Sequence, residues 1–141
     1  MHKVYLGLGS NLGDREQNLR EAIRLISERV GQVRHQSSFL QTAPWGFESE
    51  HEFLNAVILC QTEKTPRQVL TVTQQIERDM GRKEKTTLTY QDRPIDIDIL
   101  RYDDLTVNEP DLQIPHPLMH QRDFVMIPLR EVLEKENNEL K

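Results

Sequence analysis

The sequence predicts an α+β protein, a ferredoxin-like βαββαβ sandwich in which a mainly antiparallel sheet carries helices on one face. Three observations predict it. Strand-like runs occur at Lys3–Leu8, Gln32–Thr42, Phe53–Thr62 and Ile95–Leu100. Helical periodicity falls between the first and second runs and again between the third and fourth. At 141 residues the chain has room for one domain, 1–141, with a core of useful size.

The first run, with Val4, Tyr5 and Leu6, reads as a central strand ending in Gly7-Leu8-Gly9-Ser10-Asn11-Leu12-Gly13. No Gly-Lys-Ser/Thr follows, and the glycine spacing fails the dinucleotide fingerprint, so a strand-to-helix turn is favoured over a phosphate cradle. Asp14 suits an N-cap with Gln17 three residues on, and Leu19, Ala22, Ile23, Ile26 and Val30 recur at helical spacing up to Gly31. Gln32–Thr42 is strand-like but polar, and Ala43-Pro44-Trp45-Gly46-Phe47 breaks it. Phe53–Thr62 is a near-continuous apolar strand. Thr65-Pro66 opens a second helix by the N-cap and N1 preferences, with Val69, Val72, Thr73, Ile76 and Met80 inward and Gly81 closing it. Gln74 and Glu77 share another face of that helix. Residues 82–92 form a polar connection, Asn108-Glu109-Pro110 a loop, and a short helix is expected from about Arg122 to Leu133. The charged tail 134–141 is expected to fray.

Composition narrows the function. The formal net charge of −5 offers no basic field for nucleic acid or a membrane surface. Cys60 is the single cysteine, set in an apolar run, which excludes an intrachain disulfide and fits an inert core thiol in a reducing compartment. The apolar stretch Val4–Gly9 is too short for a signal peptide or a membrane span, and a cytoplasmic location is expected.

The chemistry concentrates in Arg93-Pro94-Ile95-Asp96-Ile97-Asp98-Ile99-Leu100, the fourth strand, expected to be central by the fold's usual layout. Ile95, Ile97 and Ile99 alternate with Asp96 and Asp98, so one strand face is apolar and the other carries two carboxylates. Such carboxylates repel unless a cation lies between them, and hard oxygen donors in this arrangement suit Mg²⁺ holding phosphates. A merely solvated polar face is the alternative. Arg93 beside them, with Arg82, His116 and Arg122 elsewhere, offers a local phosphate grip. Trp45, Phe53 and Phe124 supply aromatic surface near the amide of Asn55. Singly, each has a structural alternative as core, loop or helix-end residue. Together they describe a slot for a planar heterocycle beside a metal-and-arginine site for a nucleoside triphosphate.

These residues resemble those of the 6-hydroxymethyl-7,8-dihydropterin pyrophosphokinase family of folate biosynthesis. The resemblance runs from Val4 to about Leu133. It rests on Gly7–Asp14, Ser38–Pro44, Phe53-Leu54-Asn55-Ala56, Glu77–Arg82, Arg93–Leu100, Pro115-His116-Pro117 and Arg122-Asp123-Phe124. It implies transfer of pyrophosphate from ATP to the pterin hydroxymethyl group, with release of AMP, by a monomer that engages neither nucleic acid nor membrane. By the family pattern, Asp96 and Asp98 hold two Mg²⁺ ions. Thr42, Pro44, Trp45 and Asn55 line the pterin pocket, and Phe53 and Phe124 sandwich the ring. Gln74, Glu77, Ile99, His116 and Arg122 meet ATP, while Arg82 and Arg93 act on the migrating phosphoryl charge.

The chain departs from the family pattern at Thr89–Asp92, at Glu84 with Lys83 and Lys85, at Asp111 and at Pro117, so its triphosphate grip carries fewer cations than usual. Three rivals stand beside this expectation, one of them a different metal-dependent transferase using Asp-x-Asp. An RNA-recognition module shares the fold class, but its aromatic Lys/Arg-Gly-Phe run is missing and the charge is negative. A non-catalytic pterin or nucleotide sensor would have no need of both aspartates.

Overall fold

Period-two alternation sorts the central strands between two cores, one on each face of a single sheet. The computed structural model describes residues 1–42, 52–81 and 94–139. In order these form β1 (His2–Ser10), α1 (Arg15–Arg29), β2 (Gln32–Gln36), β3 (Leu40–Thr42), β4 (Phe53–Thr62), α2 (Pro66–Asp79), β5 (Asp96–Tyr102), β6 (Val107–Glu109), β7 (Leu112–Ile114) and α3 (Asp123–Glu139). The main sheet runs β2-β4-β1-β5, with β3 also pairing with the first part of β4. Every strand pair among the described residues is antiparallel.

On one face Val4, Leu6 and Leu8 join Ala56, Ile58 and Cys60 and the isoleucines of β5 under α1 and α2. The expected pair of crossover helices therefore lies on one face. The C-terminal helix α3 covers part of the other, where Val125, Leu129 and Val132 pack on Tyr5, Val57, Leu59 and Leu100. Burial pushes the Cys60 thiol up to about 12, as expected of an inert core cysteine.

Helix ends follow their capping residues. The Asp14 carboxylate accepts the Gln17 N–H at 3.2 Å, and Thr65 and Gln68 form a reciprocal capping box with Pro66 next to the cap. Gly81 follows α2 at φ +93°, where a side chain would be strained. Gly31 is a glycine for another reason: a Cβ there would lie 2.0 Å from the Gln61 carbonyl oxygen.

Three expectations are corrected. The strand bearing Asp96 and Asp98 is at the sheet edge and not central, since among the described residues β5 pairs with β1 alone. The other side of β1 is taken by β4, which leaves β5 the outer place. The loop around Asn108 is a hairpin, β6–β7, tied to α2 by Arg67 through Glu109 and Asp111. The last helix does not end near Leu133, since α3 runs on to Glu139. Glu136 accepts from Lys3 Nζ at 2.6 Å and from the Tyr5 hydroxyl, and Glu139 pairs with Arg34 and His35.

Candidate active site

Antiparallel register aligns the residues of neighbouring strands in rows. One row reads Asp96, Gly9, Asn55 and Leu40 across β5, β1, β4 and β3. The next row on that face reads Asp98, Gly7 and Val57. Helix α3 leaves this end of the sheet uncovered, and a cleft results. Gly7 and Gly9 form its floor, Thr42, Phe53 and Asn55 one wall, Asp96 and Asp98 the other, and His116, Arg122 and Phe124 its rim.

The glycines make the floor deep. A Cβ on Gly9 would lie 3.1 Å from Asn55 Oδ1 and 3.5 Å from the Phe53 ring, and one on Gly7 would lie 3.3 Å from a Leu100 methyl. Asn55 is buried, and its Nδ2 donates to Thr42 Oγ1 at 2.7 Å. That bond fixes the amide and turns its oxygen toward Gly9.

A bulge sets the rim. Register slips between Tyr5 and Leu6, opposite Ile99 to Arg101. Leu100 then packs on the α3 face and the Arg101 guanidinium lies 5.7 Å from the Tyr5 ring centroid on that same face. The Leu100 carbonyl accepts the His116 N–H at 3.0 Å, so the bulge docks the Pro115-His116-Pro117 segment beside the aspartates. His116 Nδ1 accepts the Leu118 N–H at 3.3 Å, which assigns the proton of the neutral ring to Nε2. Six residues on, Arg122 is buried, and its guanidinium lies 5.7 Å from the Phe124 ring centroid.

Edge strands leave every second N–H pointing away from their neighbour. At Ile97, between the two aspartates, that N–H donates to Glu77 Oε2 at 2.8 Å. Glu77 is 3 % exposed, so α2 delivers a buried carboxylate to the backbone of the acidic strand.

Thr42, Phe53, Asn55, Asp96, Asp98, His116, Arg122 and Phe124 thus meet in one cleft. Gln74, Glu77 and Ile99 are not among its lining residues. Gln74 is half-buried on α2, Glu77 braces β5 from behind, and the Ile99 side chain is in the core, leaving its backbone at the strand edge. Pro44, Trp45, Arg82 and Arg93 lie outside the described residues.

For a metal, the donor set is Asp96 and Asp98 on one strand face, both half-buried in the cleft. Among the described residues there is no group of three or more His, Cys, Asp or Glu side chains placed to hold an ion. Two carboxylates fit a hard cation that keeps waters and takes the rest of its oxygens from phosphates, as Mg²⁺ does.

Residues 5–134 match the 7,8-dihydro-6-hydroxymethylpterin-pyrophosphokinase (HPPK) family. The chain belongs to this family. It is 51 % identical over 131 residues to a 2-amino-4-hydroxy-6-hydroxymethyldihydropteridine pyrophosphokinase of Porphyromonas gingivalis, covering 92 % of this chain and 89 % of that one. A protein of the same name from Aquifex aeolicus is 39 % identical, over 94 % of this chain and 81 % of its own. The fold recurs in crystalline HPPK-DHPS of Plasmodium falciparum at a TM-score of 0.73 and 18 % identity. That match covers 92 % of this chain and 40 % of the longer one. The chain is therefore an enzyme, a pyrophosphokinase of folate biosynthesis.

Within this pyrophosphokinase cleft, the residues missed from sequence are Gly7 and Gly9, taken there for part of a turn. They lie inside β1, which extends to Ser10. A signal was available: two glycines at period two on one strand, like the two aspartates of β5.

Proposed function

We propose that the enzyme transfers the β,γ-pyrophosphoryl group of ATP to the hydroxymethyl oxygen of 6-hydroxymethyl-7,8-dihydropterin, with Mg²⁺ at Asp96 and Asp98. The hydroxymethyl oxygen forms a bond to the β-phosphorus. The bond from that phosphorus to the α,β-bridging oxygen breaks, and AMP leaves with the electron pair. The hydroxyl proton passes to solvent. The observation that carries this proposal is the row Asp96–Gly9–Asn55, which sets the Asn55 amide and the Asp96 carboxylate in one cleft with only a glycine between them.

Roles follow from chemistry. Phe53 and Phe124 stack on the pterin, Asn55 and Thr42 hydrogen-bond its edge, and Pro44 and Trp45 complete that wall. Asp96 and Asp98 would hold two Mg²⁺ ions, which would supply positive charge to neutralise the triphosphate. His116, through Nε2–H, and Arg122 donate to the nucleotide phosphates. The outward backbone of Ile99 meets the base, with Gln74 and Glu77 closing that side. Arg82 and Arg93 stabilise the charge that migrates toward AMP. Phosphoryl transfer needs mainly such positioning and electrostatics.

We place the enzyme in the cytoplasm as a monomer acting on small molecules. In support, no helix among the described residues is long and apolar enough to cross a membrane. The test is incubation with MgATP and 6-hydroxymethyl-7,8-dihydropterin. AMP and the pterin diphosphate should appear in equal amounts, whereas ADP with a pterin monophosphate would contradict the proposal.

A further inference from the structure

We infer that Gly9 is a specificity-determining residue, whose missing side chain makes the channel through which the 6-substituent of the pterin passes from the ring pocket to the phosphates. The inference rests on the proposed function and adds a residue to it. Gly9 faces Asn55 on one side and Asp96 on the other in the same row. Neighbouring strands are about 4.8 Å apart, so the amide and the carboxylate residue are separated by about 10 Å of backbone. A heterocycle read by Asn55 can reach phosphates held at Asp96 only by extending an exocyclic arm over Gly9. The space there is narrow. A Cβ on Gly9 would already lie 3.1 Å from Asn55 Oδ1 and 3.5 Å from the Phe53 ring, tighter than ordinary contact at the first. Backbone conformation does not demand glycine here, since only Gly13 and Gly81 among the described glycines have positive φ. Nor is backbone in the way, because the atoms nearest that Cβ belong to side chains. What the glycine leaves free is therefore a narrow gap above the strand, beside the Asn55 amide and the Phe53 ring.

The class of acceptor this selects is a planar bicycle with one unbranched carbon between ring and hydroxyl. A methyl group in the floor competes with that carbon, while Asn55 Oδ1 need give way by only a few tenths of an ångström and the Phe53 ring stays at ordinary contact distance.

The experiment compares Gly9→Ala with the wild-type enzyme in binding 6-hydroxymethyl-7,8-dihydropterin and 7,8-dihydropterin, which lacks the 6-substituent, by calorimetry with a non-hydrolysable MgATP analogue present. Gly9→Ala should weaken the hydroxymethyl ligand about tenfold or more, the scale of one overpacked methyl. It should change binding of 7,8-dihydropterin by less than about twofold on the same scale. Equal loss for both ligands would mean that the methyl only displaces Asn55, and would overturn the inference. No loss for either would overturn it too. Failure of Gly9→Ala to fold would show that the fold itself excludes the Cβ, and the inference would again be overturned. If the wild-type enzyme binds neither pterin, the proposed function falls first, an outcome distinct from all of these.

Discussion

Asp96 and Asp98 hold two negative charges on one strand face, two residues apart, in a cleft partly shielded from water. Two like charges so close repel one another, and a cation held between them offsets that repulsion. Asp98→Asn should therefore melt within about 3 °C of wild type, the range of a surface-like substitution. Its turnover should fall by at least about a hundredfold, as expected when a preorganised charge clamp is lost. Steady-state rates across a Mg²⁺ titration, with a melting curve beside them, check this, and near-normal turnover at ordinary Mg²⁺ would contradict the metal assignment. Phe53 belongs to the other wall. Phe53→Leu keeps an apolar seat and removes the π face, so pterin affinity should drop about fivefold for the loss of about 1 kcal/mol of stacking. Nucleotide affinity should not change. Equal losses for the two ligands, measured by calorimetry, would make Phe53 a core residue only.

At the scale of elements, β5 supplies the acidic wall of the cleft and α3 part of its rim, and each is held by a carboxylate. Glu77 accepts the Ile97 N–H between the two aspartates. Glu77→Ala strands that buried donor at a cost of about 1–3 kcal/mol, or several degrees of melting temperature in a domain of this size. With β5 loosened, the Mg²⁺ concentration for half-maximal rate should rise. Glu77→Gln keeps an acceptor and should restore most of both; if it behaves like alanine, the hydrogen bond is not what positions the strand.

Helix α3 is tied to β1 by Glu136, bonded to Lys3 Nζ and the Tyr5 hydroxyl. Burial alone would raise its pKa, but these two bonds outweigh burial and hold it below the usual carboxylate range. The folded state thus favours the ionised form, and the resulting stability is present above the unfolded value near about 4.3 and is lost as pH falls through the lower folded value. Wild type should exceed Glu136→Gln in melting temperature at pH 7, with the gap closing as pH falls below about 4. A gap constant down to pH 3 would rule out this linkage. In the other direction, burial, with the bond to Glu136 and its charge, raises the Tyr5 phenol well above its ordinary value, so the pair stays intact through neutral pH.

For the whole molecule, much was legible because periodicity reports which face a residue takes. The Asp-x-Asp strand, the apolar β4 run and the Thr65-Pro66 helix start each carry their signal within a few residues. What was not legible depends on partners distant in sequence. Nothing local says that β4 lies between β1 and β2, so the edge position of β5 went unread. Glu136 and Glu139 look like a solvated tail until Lys3, Tyr5, Arg34 and His35 come beside them. The floor glycines carry a local period-two signal, but its meaning comes from Asn55 and Asp96 across the register.

The central claim is that the hydroxymethyl oxygen, carried over Gly9, bonds to the β-phosphorus of ATP. The most direct measurement uses pterin labelled with ¹⁸O in the hydroxymethyl group, followed by ³¹P NMR of the products. The account predicts the isotope shift on the product phosphorus attached to the pterin, with none in AMP. Label lost to water, or found in AMP, would contradict it.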